Sequence, residues 1–352
     1  MAFSSSDLHS VAPESFPTRV LLADVAAVAG VSLATASRAL SGGKGVSAGA
    51  VAAVSAAVEQ LGYRRDRVAQ ALRARSTGLV GIVVPRVSNP FFAEMVEALE
   101  SALRHEELEM ILADSRGSVD EEARRVQTLI DHQVDALILI PTDHHASAPA
   151  LRFARASGPV VQIDRQVDGL ANDYVGVDNA LGIRAILEHV VDVGARNVTF
   201  VSDTAFSSTG HRRLDAFEIE VRRVKQLVAG PPLLGTFSVE FGREAVRQLL
   251  RRRRLPDAII CGADIIALGV VRELSDCGID VPGQVKVTGF DGILFAEYSD
   301  PPITTACQPV EAIACEAVGL LRSRLRGDTS PPHRHEIAPV LTIRRSSQPA
   351  AN

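Results

Sequence analysis

Three short segments near the start of the chain carry apolar residues at the spacing of an amphipathic helix. They are LLADVAAVAG from Leu21, the segment Leu33 to Leu40 and the segment Ala50 to Leu61. Apolar residues three and four positions apart form one face of a helix, and that face needs a partner. The segments therefore predict three helices around a small core, formed by Leu21, Leu22, Val25, Val28, Val31, Ala36, Leu40, Val51, Val54, Val58 and Leu61.

The junction between the first two helices predicts a tight turn. Gly30 can adopt a left-handed conformation at little cost, and the Ser32 hydroxyl can cap the second helix. A small, polar-tipped face then points outward, and Thr35 lies at its border. Such a face fits the major groove of DNA, although Ala-rich helices of an ordinary bundle give the same pattern.

The pattern changes after residue 77, where continuous apolar runs alternate with helical stretches. The runs are LVGIVVP, MILAD, ALILIP, VVQID, NVTFVSD, AIICG and KVTGFD. Strands buried on both faces have this appearance in parallel α/β folds. No GxGxxG follows a strand and no GxxxxGK[ST] occurs, so the sequence does not indicate nucleotide-phosphate chemistry.

Charge is distributed unevenly along the 352 residues. The net charge is -5, yet the segment from Arg19 to Arg75 holds eight Lys/Arg against three acidic residues. This basic segment indicates an anionic partner, although a solvated charged surface would give the same count.

Other features of the sequence indicate a reducing cytoplasm and no membrane association. The four cysteines have no CxxC spacing, which argues against a disulfide framework or a zinc site. Residues 1–18 lack the basic and apolar regions of a signal peptide, and no segment reaches about 18 uninterrupted apolar residues.

The segment RRDRVAQALRARSTG, which follows Tyr63, predicts a short helix capped by Asp66. It is basic on most sides, and its apolar residues are limited to Val68, Ala69, Ala71 and Leu72. Isolated helices below about 12 to 15 residues are marginal in water. We therefore expect this helix to need DNA or a second copy of itself as a partner.

From 19 to 347, the chain resembles the lactose/galactose-repressor family of bacterial transcriptional regulators. The resemblance rests on LLADVAAVAGVSLATASRAL, VSAGAVAAVSAAVEQLGY and RVAQAL, followed in order by TGLVGIVVPRVSNPFFAE, VDALILIP, PVVQIDR, VGVDNALG, RRLDAF, LPDAIICGADIIALG, VPGQVKVTGFD, PPITTACQP and PVLTIRRSS. It implies an α/β fold with a helix-turn-helix headpiece, a hinge helix and a two-lobed core like that of periplasmic sugar-binding proteins.

The resemblance also implies where the domains begin and end. We expect a disordered extension at 1–18, a headpiece at 19–65 and a hinge helix with its linker at 66–77. The first core subdomain is expected at 78–176 with 307–327, and the second at 177–306 with 328–346.

By the same resemblance, the headpiece and hinge bind a palindromic operator as a dimer. Leu33 and Ala34 would contact base edges, and Leu72 would wedge into the minor groove. Two motifs depart from the family pattern, VSAGAV in place of VSxxTR and GYRRD in place of GYxPN. The expected DNA-binding residues are Ser32, Leu33, Ala34, Thr35, Ser37, Arg38, Tyr63, Ala69 and Leu72.

A small effector, such as a sugar or sugar derivative, is expected in the cleft between the lobes. Arginine donates hydrogen bonds in a fork, carboxylates accept from hydroxyl groups, and phenylalanine can cover an apolar sugar face. The same residue types also form plain ion pairs and core. The expected contacts are Phe91, Asp164, Thr209, Arg213, Phe237, Asp264 and Asp291, whereas Ala263 stands where the family usually has Asn.

We expect no catalytic residues, no cofactor and no metal. An enzyme would need a nucleophile, an acid/base pair or a cofactor loop, and an exported sugar-binding protein would lack the headpiece. His144, His145, His333 and His335 have no carboxylate or cysteine at ligand spacing in the sequence, and the arginines at 251–254 suit a helix end. The last residues, PVLTIRRSSQPAAN, contain no leucine heptad, so we expect dimers and not tetramers.

Overall fold

The computed structural model describes residues 20–40, 45–63, 76–204, 206–252 and 255–348. The chain divides into two compact units, Met1–Arg75 and Ser76–Asn352. The extension expected at 1–18 and residues 66–75 of the expected hinge helix and linker lie outside the described residues, as do Arg253 and Arg254.

The first unit contains the three predicted helices. They are α1 (Leu22–Val28), α2 (Leu33–Leu40) and α3 (Ala48–Leu61), and α1 and α2 are bent by 102° relative to each other. Because the helices are short and alanine-rich, their buried core is small: it consists of Val25, Ala26, Ala36, Val54 and Ala57.

Three residues predicted to face this core are exposed. Leu21, Val28 and Val51 retain more than a third of their surface, and Ala26 and Ala57 are buried instead. Helical spacing placed all three residues on the apolar face of their helices. In the structure, small alanine side chains fill the contact between the helices, and residues at the margin of the apolar face stay exposed.

The second unit alternates strands and helices. In chain order it comprises β1 (Leu79–Val84), α4 (Pro90–His105), β2 (Glu109–Asp114), α5 (Val119–Asp131), β3 (Ala136–Leu139), α6 (Ala148–Ser157), β4 (Val160–Ile163), β5 (Asp173–Val177), α7 (Asn179–Asp192), β6 (Asn197–Asp203), α8 (Ser208–Arg223), β7 (Val228–Ala229), β8 (Leu233–Gly235), α9 (Val239–Arg251), β9 (Ala258–Cys261), α10 (Asp264–Asp276), β10 (Lys286–Asp291), α11 (Leu294–Glu297), β11 (Thr304–Cys307), α12 (Val310–Leu325), β12 (Arg334–Ile337) and β13 (Val340–Thr342).

These elements form two lobes, each built on one sheet. The first lobe has the parallel strand order β12-β5-β4-β3-β1-β2, with α4, α5, α6 and α12 packed on it. The second has the order β13-β11-β10-β9-β6-β7, with β8 also paired to β6; among its described strands, β13 pairs antiparallel and the others pair in parallel. All seven predicted runs form strands, whereas β5, β7, β8, β11, β12 and β13 were not predicted.

The chain passes between the lobes three times, after β5, after β11 and after β12. The last passage corrects one predicted boundary. Residues 328–346 were expected in the second subdomain, but Arg334–Ile337 pairs in parallel with Asp173–Val177 of the first sheet. The segment is polar and exposed, so no apolar run indicated an edge strand there.

Among the described residues, no single helix is long and apolar enough to cross a membrane. The helices α1 and α2 meet the length and composition criteria only when taken together, as a bent pair.

Candidate functional sites

The turn between α1 and α2 has the geometry that the sequence predicted. Gly30 has a φ of 65°, and its N–H donates to the Ala27 carbonyl at 3.3 Å. The next N–H, of Val31, donates to the Ala26 carbonyl at 3.0 Å, which closes the end of α1. The Ser32 Oγ accepts from the Thr35 N–H at 3.2 Å and so caps α2.

The outward face of α2 combines apolar and polar groups. Leu33 is 51% exposed, and Ser32, Ala34 and Arg38 are exposed beside it. Thr35 and Ser37 are half-buried, and Ala36 on the opposite side is buried in the core. The Arg38 Nε donates to the Ala34 carbonyl at 3.3 Å. A protruding helix end with short side chains can enter a major groove and contact base edges.

Tyr63 is half-buried and packs against the headpiece core. The other two predicted DNA contacts, Ala69 and Leu72, lie outside the described residues. Of the eight basic residues between Arg19 and Arg75, Arg38 is the one that the structure describes.

In the second unit, six of the seven predicted effector contacts line one pocket between the lobes. The pocket is small, with a cavity volume of about 10 Å³, and it is lined by Asn89, Phe91, Phe92, Asp164 and Arg165 from the first lobe and by Thr209, Arg213, Phe237 and Asp291 from the second. Strand ends and helix starts bring these side chains together. The pocket therefore lies where parallel α/β folds commonly bind ligands.

The first-lobe wall of the pocket begins at the start of α4. Asn89 caps this helix, and its Oδ1 accepts from the Phe91 N–H at 3.2 Å. Pro90 occupies the first turn, where its missing N–H costs nothing. The cap fixes the first turn, which holds the buried rings of Phe91 and Phe92 edge to face with their centroids 5.3 Å apart.

Arg213 is the centre of the second-lobe side. Its Nε donates to the Asn179 Oδ1 at 2.7 Å, and one terminal nitrogen donates to the Gly262 carbonyl at 2.6 Å and to the Asp291 Oδ1 at 3.1 Å. The guanidinium also lies 3.8 Å from the centroid of the Phe290 ring. These contacts fix the orientation of a fully buried cation.

On the first-lobe side, Arg165 lies between two aromatic rings. Its guanidinium is 5.3 Å from the Phe92 centroid and 5.8 Å from that of Phe237, which belongs to the other lobe. Its Nε is 3.7 Å from the Asp164 Oδ2, too far for a hydrogen bond. Within the part of the chain that the structure describes, Arg165 Nε and Asp164 Oδ1 are both buried without a hydrogen-bond partner.

Burial shifts the ionisation of this pair in opposite directions. It raises the pKa of Asp164 above its ordinary value, against the opposing effect of Arg165 and Arg213. It lowers the pKa of Arg165, against the opposing effect of Asp164. Both charged forms are thus short of solvation, and hydroxyl groups of a ligand could supply the missing hydrogen bonds.

Both pocket carboxylates at strand ends have unusual backbone conformations. Asp164 has a φ of 57° and Asp291 a φ of 111°, in the region that side chains rarely adopt. Conformations of this kind cost of order 1–3 kcal/mol and concentrate at functional sites. The backbone therefore supports a binding role for these two residues.

Asp264 lies outside the pocket lining, so the expectation that it lines the cleft is wrong. It is fully buried, and its Oδ2 accepts from the N–H groups of Gly292 at 2.7 Å and Ile293 at 2.9 Å. It thereby holds the chain immediately after Asp291. Burial, with the nearby Asp291 charge, raises the pKa of Asp264 to about 8, and burial raises that of Asp291 to about 6.

The sequence pointed to the SNPFF stretch at the cleft, but only Phe91 was singled out from it and not Asn89 or Phe92, and Arg165 was missed as a pocket residue. The signal for each was its neighbour: Asn89 and Phe92 belong to SNPFF, and Arg165 follows Asp164 in PVVQIDR. The first turn of a helix and the loop after a strand each place consecutive side chains at the same edge.

The fold also supplies carboxylate partners that the sequence spacing did not indicate. The His144 Nδ1 lies 2.8 Å from the Asp168 Oδ2, and the His335 Nδ1 lies 3.1 Å from the Glu316 Oε1. The expectation that these histidines lack such partners is wrong, because the partners come from elements distant in sequence. Arg251, in contrast, ends α9 exposed and pairs with Glu244, as expected for a solvated helix end.

A helix-turn-helix unit followed by a two-lobed core with a buried polar pocket is the architecture of a DNA-binding regulator with a ligand-binding type of core. Comparison with known proteins supports this class. Residues 21–66 match the model of the bacterial regulatory proteins of the lacI family, and residues 187–347 match the periplasmic binding protein-like domain. The chain is 31% identical to the HTH-type transcriptional regulator reg1 of Streptomyces lividans, over 94% of this chain and 97% of that protein. The protein belongs to the lacI family of bacterial transcriptional regulators.

Other relatives extend over nearly the whole chain. The ribose operon repressor of Escherichia coli K12 is 27% identical over 92% of this chain and 98% of its own length. The lac repressor dimer bound to operator and the anti-inducer ONPF superposes with a TM-score of 0.86 at 25% identity, covering 94% of this chain and 99% of that one. A transcriptional regulator CelR-cellobiose complex has a TM-score of 0.71 at 29% identity, covering 93% and 100%. These proteins are transcriptional regulators and not enzymes.

Proposed function

We propose that this protein is a dimeric, cytoplasmic repressor that binds a palindromic operator and responds to a small polyhydroxylated effector in the pocket between its lobes. The observation that carries the proposal is the meeting of residues from both lobes around one buried polar pocket, in a chain that also has a helix-turn-helix unit.

The chemistry of the pocket favours a sugar or sugar derivative. Asp164 and Asp291 accept hydrogen bonds, Arg165 and Arg213 donate them, and the phenylalanine rings offer apolar faces. Two of these groups have polar atoms that a ligand hydroxyl could satisfy, Asp164 Oδ1 and Arg165 Nε. Support also comes from the similarity to a regulator solved with cellobiose.

A twofold dimer and a palindromic site follow from the same symmetry. The similar lac repressor was solved as a dimer on its operator. Two copies of α2, each with Leu33 and Ala34 exposed, would contact two half-sites. By resemblance, the hinge segment with Ala69 and Leu72 would contact the centre of the operator.

The DNA-binding part of the proposal is tested by selecting bound duplexes from a random pool with the full-length protein. We expect the enriched sequences to share a twofold-symmetric site, and sedimentation of the free protein to give a dimer. A pool without enrichment, or a stable tetramer, would contradict the proposal.

The effector part is tested by a thermal-shift screen of pentoses, hexoses, disaccharides, sugar phosphates and nucleosides, followed by calorimetry on the hits. Asp164→Asn and Asp291→Asn each remove a charged acceptor, and such hydrogen bonds are worth about 1.5–3 kcal/mol. We expect each to weaken effector binding by about 10- to 150-fold and to retain operator binding. The matched control is Asp215→Asn, which makes the same change at an exposed carboxylate outside the pocket.

Effector binding should change operator affinity by shifting how the two lobes sit relative to each other. Such coupling is typically worth about 1–3 kcal/mol and must be reciprocal, so operator DNA should change effector affinity by the same factor. Calorimetric titration of the effector with and without operator measures it. Equal effector affinities in the two titrations would show that the effector does not control operator binding, and would contradict this part of the proposal.

A further inference from the structure

A cluster of metal-ligating side chains lies in the first lobe, apart from the effector pocket. His144 and His145 occupy the loop after β3, and Asp168 occupies the loop after β4. Each offers one ligand atom, and these atoms all lie within 4.8 Å of one another. None of the three residues lines the pocket, so the proposed effector binding does not use them.

Hydrogen bonds hold the two loops together at this cluster. The Asp168 N–H donates to the His144 carbonyl at 2.8 Å, and the two side chains are in contact at the same distance. Within the first loop, the Asp143 Oδ1 accepts from the N–H groups of His145 and Ala146, both at 2.7 Å. The backbone of the cluster is therefore fixed before any ligand arrives, and little ordering is needed on binding.

The side chains themselves have room to adjust. The rings of His144 and His145 stack with their centroids 3.9 Å apart and their planes 29° apart. His145 and Asp168 are exposed, whereas His144 is half-buried. The exposed side chains of His145 and Asp168 can change rotamer, so their ligand atoms can close on that of His144 to the separation that bonds of about 2.0–2.2 Å to one ion require.

We propose that His144, His145 and Asp168 bind one zinc ion, with water at the remaining position. Two imidazoles and one carboxylate are a ligand set that zinc takes in sites with an open position. A site rich in histidine favours zinc over magnesium or calcium, which prefer oxygen ligands alone.

The proposed zinc site lies where the first lobe contacts the second. The His144 N–H donates to the Phe206 carbonyl of the second lobe at 3.0 Å, and the ring of His211 on α8 stacks on His144 at 5.5 Å. The bound ion would therefore lie at the interface between the two lobes.

Equilibrium dialysis of the full-length, tag-free protein against Zn²⁺ tests the proposal, and Co²⁺ as a spectroscopic probe reports the geometry of the site. We expect one high-affinity ion per chain, and visible Co²⁺ absorption that Zn²⁺ displaces. His145→Ala and Asp168→Asn should each weaken this binding at least tenfold. Because both side chains are exposed, both variants should fold, which circular dichroism checks.

The matched control is His132→Ala, which removes an exposed histidine at the end of α5. It should bind zinc as the wild type does. The proposal is overturned if the wild type binds no Zn²⁺ below millimolar concentration. It is also overturned if the His145 and Asp168 variants keep wild-type affinity, since the ion would then be held elsewhere.

Discussion

Helix α2 and the pocket between the lobes depart from ordinary protein surfaces and interiors in opposite ways. On α2, the apolar Leu33 is half exposed to water, beside short side chains that cannot cover it. In the pocket, Asp164 and Arg165 bury polar atoms that lack hydrogen-bond partners in the described structure. One region exposes apolar surface to solvent, and the other buries polar groups away from solvent.

The difference indicates what each region is suited to bind. A protruding apolar side chain loses its contact with water when a large, flat or grooved partner covers it, as DNA does. A buried polar atom without a partner costs about 1–3 kcal/mol, which a small hydroxylated ligand can recover. The two departures therefore match a macromolecular partner for the headpiece and a small polar ligand for the core.

The largest expected effect comes from breaking the buried charge network of the pocket. Arg213→Ala leaves Asp291 buried without its cation, and losing one partner of a buried pair costs about 3–5 kcal/mol of folding free energy. Denaturant unfolding followed by circular dichroism measures the loss. Adding Asp291→Asn to this variant should recover part of it, because the uncompensated charge is removed. A loss below about 1 kcal/mol in Arg213→Ala would mean that the pocket is less dry than its contacts indicate.

The second prediction uses pH to show that a buried carboxyl group lies behind the pocket. The pKa of Asp264 is about 8 in the folded protein, against 3.8 as its ordinary value. Between these pH values the folded state keeps a proton that the unfolded chain loses, so wild-type stability falls as pH rises, by at most about 1.4 kcal/mol per pH unit. Asp264→Asn can still accept from Gly292 and Ile293 and has no proton to lose. Its stability relative to the wild type should increase from pH 4 to pH 8, and parallel curves would contradict this.

On the headpiece side, Leu33→Ala should separate binding from folding. Because Leu33 is exposed, the free energy of unfolding should change by less than about 0.5 kcal/mol. Preference for the selected operator over a random duplex should fall by about 1–3 kcal/mol, the usual value of one base contact. Gel-shift titrations against both duplexes measure this preference. An equal loss on both duplexes would show that Leu33 does not read base edges.

The smallest expected effect tests the turn that positions α2. Gly30 has a left-handed conformation with open space around its α-carbon, so Gly30→Ala adds backbone strain of about 1 kcal/mol and no clash. Gly49 is helical and equally open, so Gly49→Ala should stabilise the same unit instead. Hydrogen exchange of the amides in α1, α2 and α3 measures both changes. Effects of the same sign on stability would show that the left-handed conformation of Gly30 does not determine the effect of the substitution.

The headpiece and the core differ in how much of each could be predicted from the sequence. Helical spacing and the glycine of the turn predicted the headpiece, and continuous apolar runs predicted seven strands of the core. Polar edge strands such as Arg334–Ile337 escaped prediction because their pairing is decided by a distant strand, Asp173–Val177, and not by their own pattern.

For the pocket, motif order predicted six residues correctly as neighbours in space. It misplaced Asp264, because the sequence gives the distance of a residue from a strand end but not the direction of its side chain. It missed the pairing of His144 with Asp168, because that pairing depends on the separation of two loops. Whether the pocket residues bind an effector stays a prediction.

The late position of β12 has a consequence for the order in which the protein is made. The three headpiece helices are complete once the chain has been synthesised to Leu61, but the first lobe lacks its edge strand until Ile337. At 5–20 residues per second, the intervening stretch of roughly 280 residues takes about 15 to 55 s. During that time a nascent chain carries a complete headpiece and an incomplete first lobe, so the unit proposed to contact DNA is made well before the core proposed to bind a ligand.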